Sequence, residues 1–283
     1  MKPLQTLLAA LLVGGSLAAP AAIAAPTPRP ASSEIESALK KTLDTSLEAF
    51  NRGDFEGYLH DFFPRVSYNG LQVERKRLVE INRDLKKAFP DLQMRYQRMR
   101  ITPMGDRQAA ATTVAEFVGK TPNYEGSGLP ATYREAGQVT ALYREVDGRW
   151  ATHQLQVAWN DSYIDIGHPF SLMGFSALPS LVGAGQPYRV RLFAGNDSRP
   201  NVGVQYAYTV APLSDVLEKE GAERIFGALR FQPLPEGGLK GELVAPAESG
   251  TYAHVLVVNK VWDRGNEPII LGQKVYTRLV RVE

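Results

Sequence analysis

Apolar positions recur every three to four residues early in the chain and every second residue later, so the pattern predicts helices first and strands after them. Ile35, Ala38, Leu39, Leu43, Leu47 and Phe50 lie at helical spacing behind a Ser33-x-x-Glu36 capping box, and Asn51-Arg52-Gly53 ends that helix. Asp54 is placed to cap a second helix with Phe55, Leu59, Phe62 and Phe63 as its buried stripe, stopped by Pro64. A short strand pair near 66–73 follows, then a third helix over about 75–89 that turns Leu78, Ile81, Leu85 and Phe89 inward before Pro90. The period then becomes two, predicting strands near 92–104, 107–119, 131–146 and 149–160. Gly105-Asp106 and Asp147-Gly148 are hairpin turns, and 121–130 is a loop. Three helices followed by an antiparallel meander is an α+β layout with the helices on one face of the sheet.

Beyond residue 163 the pattern changes again. The stretch 163–186 is punctuated by glycine and proline yet carries Phe170, Leu172, Met173, Phe175, Leu178, Leu181 and Val182, too apolar for a free linker. It is expected to pack between two domains or to form a first edge strand. From 187 onward, short strands at regular spacing are expected at 187–194, 202–210, 224–232, 239–244, 251–259 and 269–282, the signature of a sandwich. One short helix at 214–220, capped by Ser214, interrupts them. The domain plan is therefore 34–162, a join over 163–186, and an all-β domain over 187–283.

The first residues add a compartment. Lys2, an almost wholly apolar run over 7–17 and Ala22-Ile23-Ala24 read as a secretory signal peptide over 1–24, followed by a stiff Pro-rich tether over 25–33. The apolar run falls short of the roughly 20 residues a membrane span needs, so the chain is expected to be exported, periplasmic or secreted, with no span left after cleavage. A formal charge of +2 on 283 residues gives no electrostatic case for nucleic acid. The absence of cysteine excludes disulfides, thiolate metal sites and thiol nucleophiles. The sequence contains no G-x-G-x-x-G, Walker, H-E-x-x-H or G-x-S-x-G run, so neither a cofactor nor a metal is expected.

The segments AFNRGDFEGYLHDFFPRVSYNG, AFPDLQMRYQRMRITPMGDRQAAATTVAEFVG and VTALYREVDGRWATHQLQVAWND, in that order and spacing, resemble the NTF2-like superfamily, and within it the SnoaL-like and ketosteroid isomerase branch. The resemblance covers roughly 34–162. It implies a cone in which a bent sheet wraps helices around a pocket, in a family of enzymes, binders and dimers that associate through the outer sheet face. The isomerase-type base, tyrosine and protonated aspartate fall at Val66-Ser67-Tyr68-Asn69, near Ser46 and near Gln138, so all three positions depart from that pattern. LKGELVAPAESGTYAHVLVVN resembles the late strands of immunoglobulin-like domains, with Gly250 and Tyr252 in the places of a tyrosine corner and His254 where a disulfide cysteine would stand.

Three readings of function stay open. The first is an exported binding protein that holds a small apolar ligand or a partner segment in a pocket formed by Tyr58, Tyr68, Tyr96, Glu116, Tyr133, His153 and Trp159. The second is a SnoaL-like isomerase, cyclase or dehydratase with His153 and Glu116 as an acid–base pair across neighbouring strands. The third is a structural adaptor in a cell-envelope assembly, its cone filled by its own side chains.

Overall fold

The computed structural model describes residues 32–105, 107–167, 173–194, 202–217, 232–233, 239–263 and 268–283. The expected signal peptide, the tether up to residue 31, the strand over 224–231 and the helix beyond Leu217 lie outside them. Two compact units emerge: one takes the described residues up to Val118 together with Glu135–Asn160, and the other takes Gly119–Arg134 and Asp161–Glu283.

In the first unit, helix α1 (Ser32–Arg52) buries Ile35, Leu39, Leu43, Ser46, Ala49 and Phe50, a single stripe at helical spacing. It starts one residue before the expected cap: the Ser32 hydroxyl donates to Glu36 at 3.2 Å, and Ser33 is already helical. Asp54 accepts from the Gly57 amide at 2.9 Å and caps α2 (Phe55–Tyr58), which is one turn long. The expected second helix is therefore much shorter, and the expected three helices are two of 21 and 14 residues plus that turn. Pro64 explains the loss: it supplies no N–H for a helical bond and drives Phe63 into an extended conformation. Residues from Phe62 onward form strand β1 (Phe62–Tyr68), which pairs with β2 (Leu71–Glu74) across the Asn69-Gly70 turn. Helix α3 (Arg75–Ala88) follows, burying Leu78, Val79, Ile81, Asn82 and Leu85.

The meander is β3 (Gln93–Gly105), β4 (Gln108–Thr121), β5 (Ala131–Val146) and β6 (Arg149–Gly167). Asp147 and Gly148 both take positive φ, 52° and 76°, as a two-residue hairpin with native twist requires. Strands β3 to β6 are hydrogen-bonded neighbours in order, and β1 lies parallel to β6 with Phe62 opposite Thr152 and Tyr68 opposite Leu155. Helix α1 packs on the face that carries Val66, Ala109, Ala111, Ala141, Tyr143, Trp150 and Leu155. Alanines at 109, 111 and 115 on β4 leave room there for the helix and for aromatic rings. Phe50 meets the edges of Phe55, Tyr58 and Phe117 at 5.1–5.5 Å between ring centroids, and locks α1, α2 and β4 together.

The second unit is all-β but for 3-10 and α-helical turns at Tyr124–Gly126 and α4 (Leu213–Leu217). Its first sheet joins β10 (Val202–Pro212), β13 (Gly250–Asp263) and β14 (Pro268–Val282), with residues 161–167 of β6 antiparallel to β14 and β8 (Leu181–Val182) parallel to it. Its second sheet orders β11 (Gln232–Pro233), β12 (Leu239–Val244), β9 (Pro187–Ala194) and β7 (Met173–Ala177). The stretch expected as a join thus supplies sheet residues, and β7 is an edge strand. Both sheets contribute to one core, which includes Tyr188, Val190, Tyr208, Leu256, Val258, Tyr276 and Val280. An immunoglobulin-like strand order is not shown. The Tyr252 hydroxyl does donate back to the Glu248 carbonyl at 3.0 Å, the bond of a tyrosine corner. No helix among the described residues is long and apolar enough to cross a membrane.

His254 occupies the middle of that core at 1% exposure. Its Nδ1 meets the Tyr208 hydroxyl on β10 and its Nε2 lies 3.4 Å from the Tyr188 hydroxyl on β9, so the ring bridges the two sheets. A neutral imidazole has one donor and one acceptor, which two hydroxyls can satisfy in turn. Burial holds its pKa down, from 6.5 to about 3. The unfolded chain therefore takes up this proton first. Its contribution to stability is complete above pH 6.5 and is lost as the pH falls from 6.5 toward about 3. Urea unfolding should show a loss of about 3 kcal/mol between roughly pH 7 and pH 4 that the His254→Gln variant lacks.

Candidate functional site

The first unit contains a cavity of ≈ 40 Å³ whose lining is mostly apolar, with Leu43, Phe62, Met94, Ala111, Ala115, Val139, Ala141 and Leu155 in its wall. Three tyrosines converge on it: Tyr58 from the end of α2, Tyr96 from β3 and Tyr143 from β5. Ser46 of α1 and Thr113 of β4 add hydroxyls. The volume suits one or two waters and is well below the ~300 Å³ of an open small-molecule pocket.

Burial, then the neighbouring Tyr143 and Glu135, pushes the Tyr58 hydroxyl up. Burial raises Tyr96 as well, with Tyr58 and Tyr143 next among the causes. Tyr143 is pushed up to about 12, mainly by burial. All three are thus neutral phenols across the physiological range, each able to donate and accept one hydrogen bond. No carboxylate, imidazole, ammonium or guanidinium is part of this lining.

Strand β6 decides which candidates reach the interior. Trp150, Thr152 and Gln154 are buried, so His153 between Thr152 and Gln154 takes the opposite face. The alternation then shifts by one: Leu155 lines the tyrosine-lined cavity and Val157 a smaller one. It shifts again past the exposed Ala158 and Trp159, so that Asn160 is buried at 3% exposure. His153 meets the edge of Phe63 at 6.2 Å, and its pKa is lowered first by burial and then by Arg144. Glu116 lies between the inward Ala115 and Phe117 and points the other way. Its carboxylate accepts from Arg95 at 2.7 and 2.9 Å and from Gln97 at 2.6 Å, and Arg95 sits directly opposite it on β3.

Of the residues expected around a pocket, Tyr58 and Tyr96 line the ≈ 40 Å³ cavity. Glu116 and His153 are not brought together at it. Tyr68 is fully buried in β1, Tyr133 is fully buried in the second unit, and Trp159 is 38% exposed. The sequence reading omitted Glu135, which is buried at 4% exposure and accepts from the Asn160 side-chain amide. Its signal was legible, since Glu135 shares strand parity with Tyr133, Val139 and Tyr143 on an apolar face. Among the described residues no cluster of three His, Asp or Glu side chains can hold a metal ion. Asp161 is engaged by Arg278, and Asp165 pairs with Lys274 at 3.0 Å while the Lys274 ammonium lies 4.5 Å over the Tyr163 ring.

No protein-family model matches the chain, and no curated protein matches it. Solved structures do. A provisionally assigned dehydratase of the NTF2-like family from Streptomyces avermitilis is 14% identical, with a TM-score of 0.37 over 44% of this chain and 96% of its own. An uncharacterised protein with a cystatin-like fold from Caulobacter vibrioides is 17% identical, with a TM-score of 0.35 over 44% of this chain and 90% of its own. A hexachlorocyclohexane dehydrochlorinase from Novosphingobium barchaimii is 10% identical, with a TM-score of 0.35 over 44% and 85%. Likenesses of this size describe part of a fold and carry no activity with them.

The placement of Glu116 and His153 makes a direct prediction. Arg95 is 68% exposed, so the Glu116 clamp is a surface pair worth at most about 1 kcal/mol. The combined variant Glu116→Gln, His153→Gln should therefore unfold within about 1 kcal/mol of the parent and leave the nuclear magnetic resonance signals of the Ala111 and Ala141 methyls unmoved.

Proposed function

We propose that this chain is an exported two-domain binding protein. On this reading the first unit is an NTF2-like cone that closes on a small, largely apolar ligand or a short partner segment, and the all-β unit supports it as an immunoglobulin-like sandwich. The observation that carries the reading is the convergence of Tyr58, Tyr96 and Tyr143 on an otherwise apolar cavity with no charged side chain in its lining. Apolar walls supply the driving force for binding, and a few fixed hydroxyls orient a polar end. Acid–base chemistry through His153 and Glu116 finds no support in this geometry, since Arg95 and Gln97 engage the carboxylate away from the cavity.

The small volume bears on a second reading. A cavity of ≈ 40 Å³ is close to what a cone filled by its own side chains would leave, as a structural adaptor would have it. A ligand larger than a few atoms enters only if the partly exposed Phe62 and Tyr96 move. Titration with toluene, followed by nuclear magnetic resonance of alanine methyls, separates the two. Binding should shift the Ala111, Ala115 and Ala141 signals saturably, and Ala141→Phe should abolish the shifts. If these methyls stay unmoved up to the solubility of toluene while the fold is intact, the adaptor reading replaces the binding one.

A further inference from the structure

A second cavity of ≈ 10 Å³ adjoins the first, sharing Ala115 and Val139 in its wall, and is otherwise bounded by Phe117, Glu135, Gly137, Val157 and Asn160. Its chemistry differs from that of its neighbour. The Glu135 carboxylate can only accept, so the Asn160 group facing it is the donating Nδ2. That fixes Oδ1 of Asn160 the other way, where it is fully buried and meets no hydrogen-bond donor. A buried amide oxygen left in this state is destabilising until a donor reaches it. The backbone is arranged to keep the site. A Cβ on Gly137 would stand 3.1 Å from the Trp159 carbonyl and 3.5 Å from Asn160 Nδ2, so any larger residue would press on the segment that holds Asn160. The same Glu135 contributes to the rise in Tyr58 pKa, which places the carboxylate within electrostatic reach of the tyrosine cluster.

We infer that the Glu135–Asn160 pair is the head-group site of the cone: it selects a ligand whose polar end donates a hydrogen bond to Asn160 Oδ1 while its apolar body lies among Tyr58, Tyr96 and Tyr143. The ligand class is thus a small apolar molecule ending in a hydroxyl or amine, and not one ending in a carboxylate, ether or carbonyl. Two acceptors stand at this end of the space, so an acceptor group placed there meets repulsion and a donor meets a partner. This inference rests on the binding reading above and names the chemistry of that site.

Calorimetric titration with phenol, anisole and toluene tests it. The three share a ring; phenol alone donates. The wild-type chain should bind phenol about tenfold more tightly than anisole, with toluene between them or equal to anisole. Gly137→Ala should remove the phenol preference, bringing phenol to the affinity of anisole. Equal affinity for phenol and anisole overturns the head-group site while toluene binding keeps the binding reading. A phenol preference that survives Gly137→Ala in a folded variant also overturns it. Failure of all three probes to bind overturns both. The wild-type comparison decides the matter even where the variant does not fold.

Discussion

The interior of the first unit depends on where strand β6 changes the face its side chains take. An unbroken alternation in register with Leu155 and Val157 would also turn His153 and Trp159 inward and Asn160 outward. Instead the parity shifts after Gln154 and again before Asn160. The first shift seats Leu155 against α1 and leaves His153 beside Phe63. The second brings Asn160 to Glu135, at a point where Gly137 on the neighbouring strand leaves room. Irregularities of this kind re-aim single side chains without disturbing the rest of a sheet. Here they turn the Asn160 carboxamide, and not the His153 imidazole, to the inner wall.

The second unit meets a related problem by a different route. Without cysteine this unit has no covalent tie between its two sheets, and it places a histidine between two tyrosines from opposite sheets. Such a bridge needs the neutral imidazole, which ties the unit's stability to pH. Its charged residues are handled locally. Asp161 and Arg278 make a two-pronged pair, and Lys274, itself buried, sits between Asp165 and the rings of Tyr163 and Tyr276. Asp161 and Asp165 are thus both engaged by cationic side chains.

Much of this architecture was legible in the residues. The stripe of α1, the third helix, the four long strands and the Asp147-Gly148 turn follow from periodicity and turn chemistry, because each is a local property. The second helix was misread because Phe62 and Phe63 fit a helical stripe, while Pro64 outweighs the pattern and the partner strand β6 lies 90 residues away. The pocket was harder. Tyr58 and Tyr96 could be picked as amphipathic residues suited to an apolar pocket, but the fate of His153 and Glu116 turned on strand parity. Glu116 was readable as outward, opposite a cation on β3; the β6 shifts were not, since nothing in Gln154-Leu155 or Ala158-Trp159 announces them. Glu135 was visible in the alternation, and its partner was hidden by the same shifts.

Native mass spectrometry of the full chain purified from its natural host addresses the claim that the cone is a receptacle. The account predicts a bound small molecule at one per chain, released on unfolding and missing from the Ala141→Phe variant. A spectrum in which wild type and variant both show only the bare chain, under conditions that preserve known weak complexes, would contradict it.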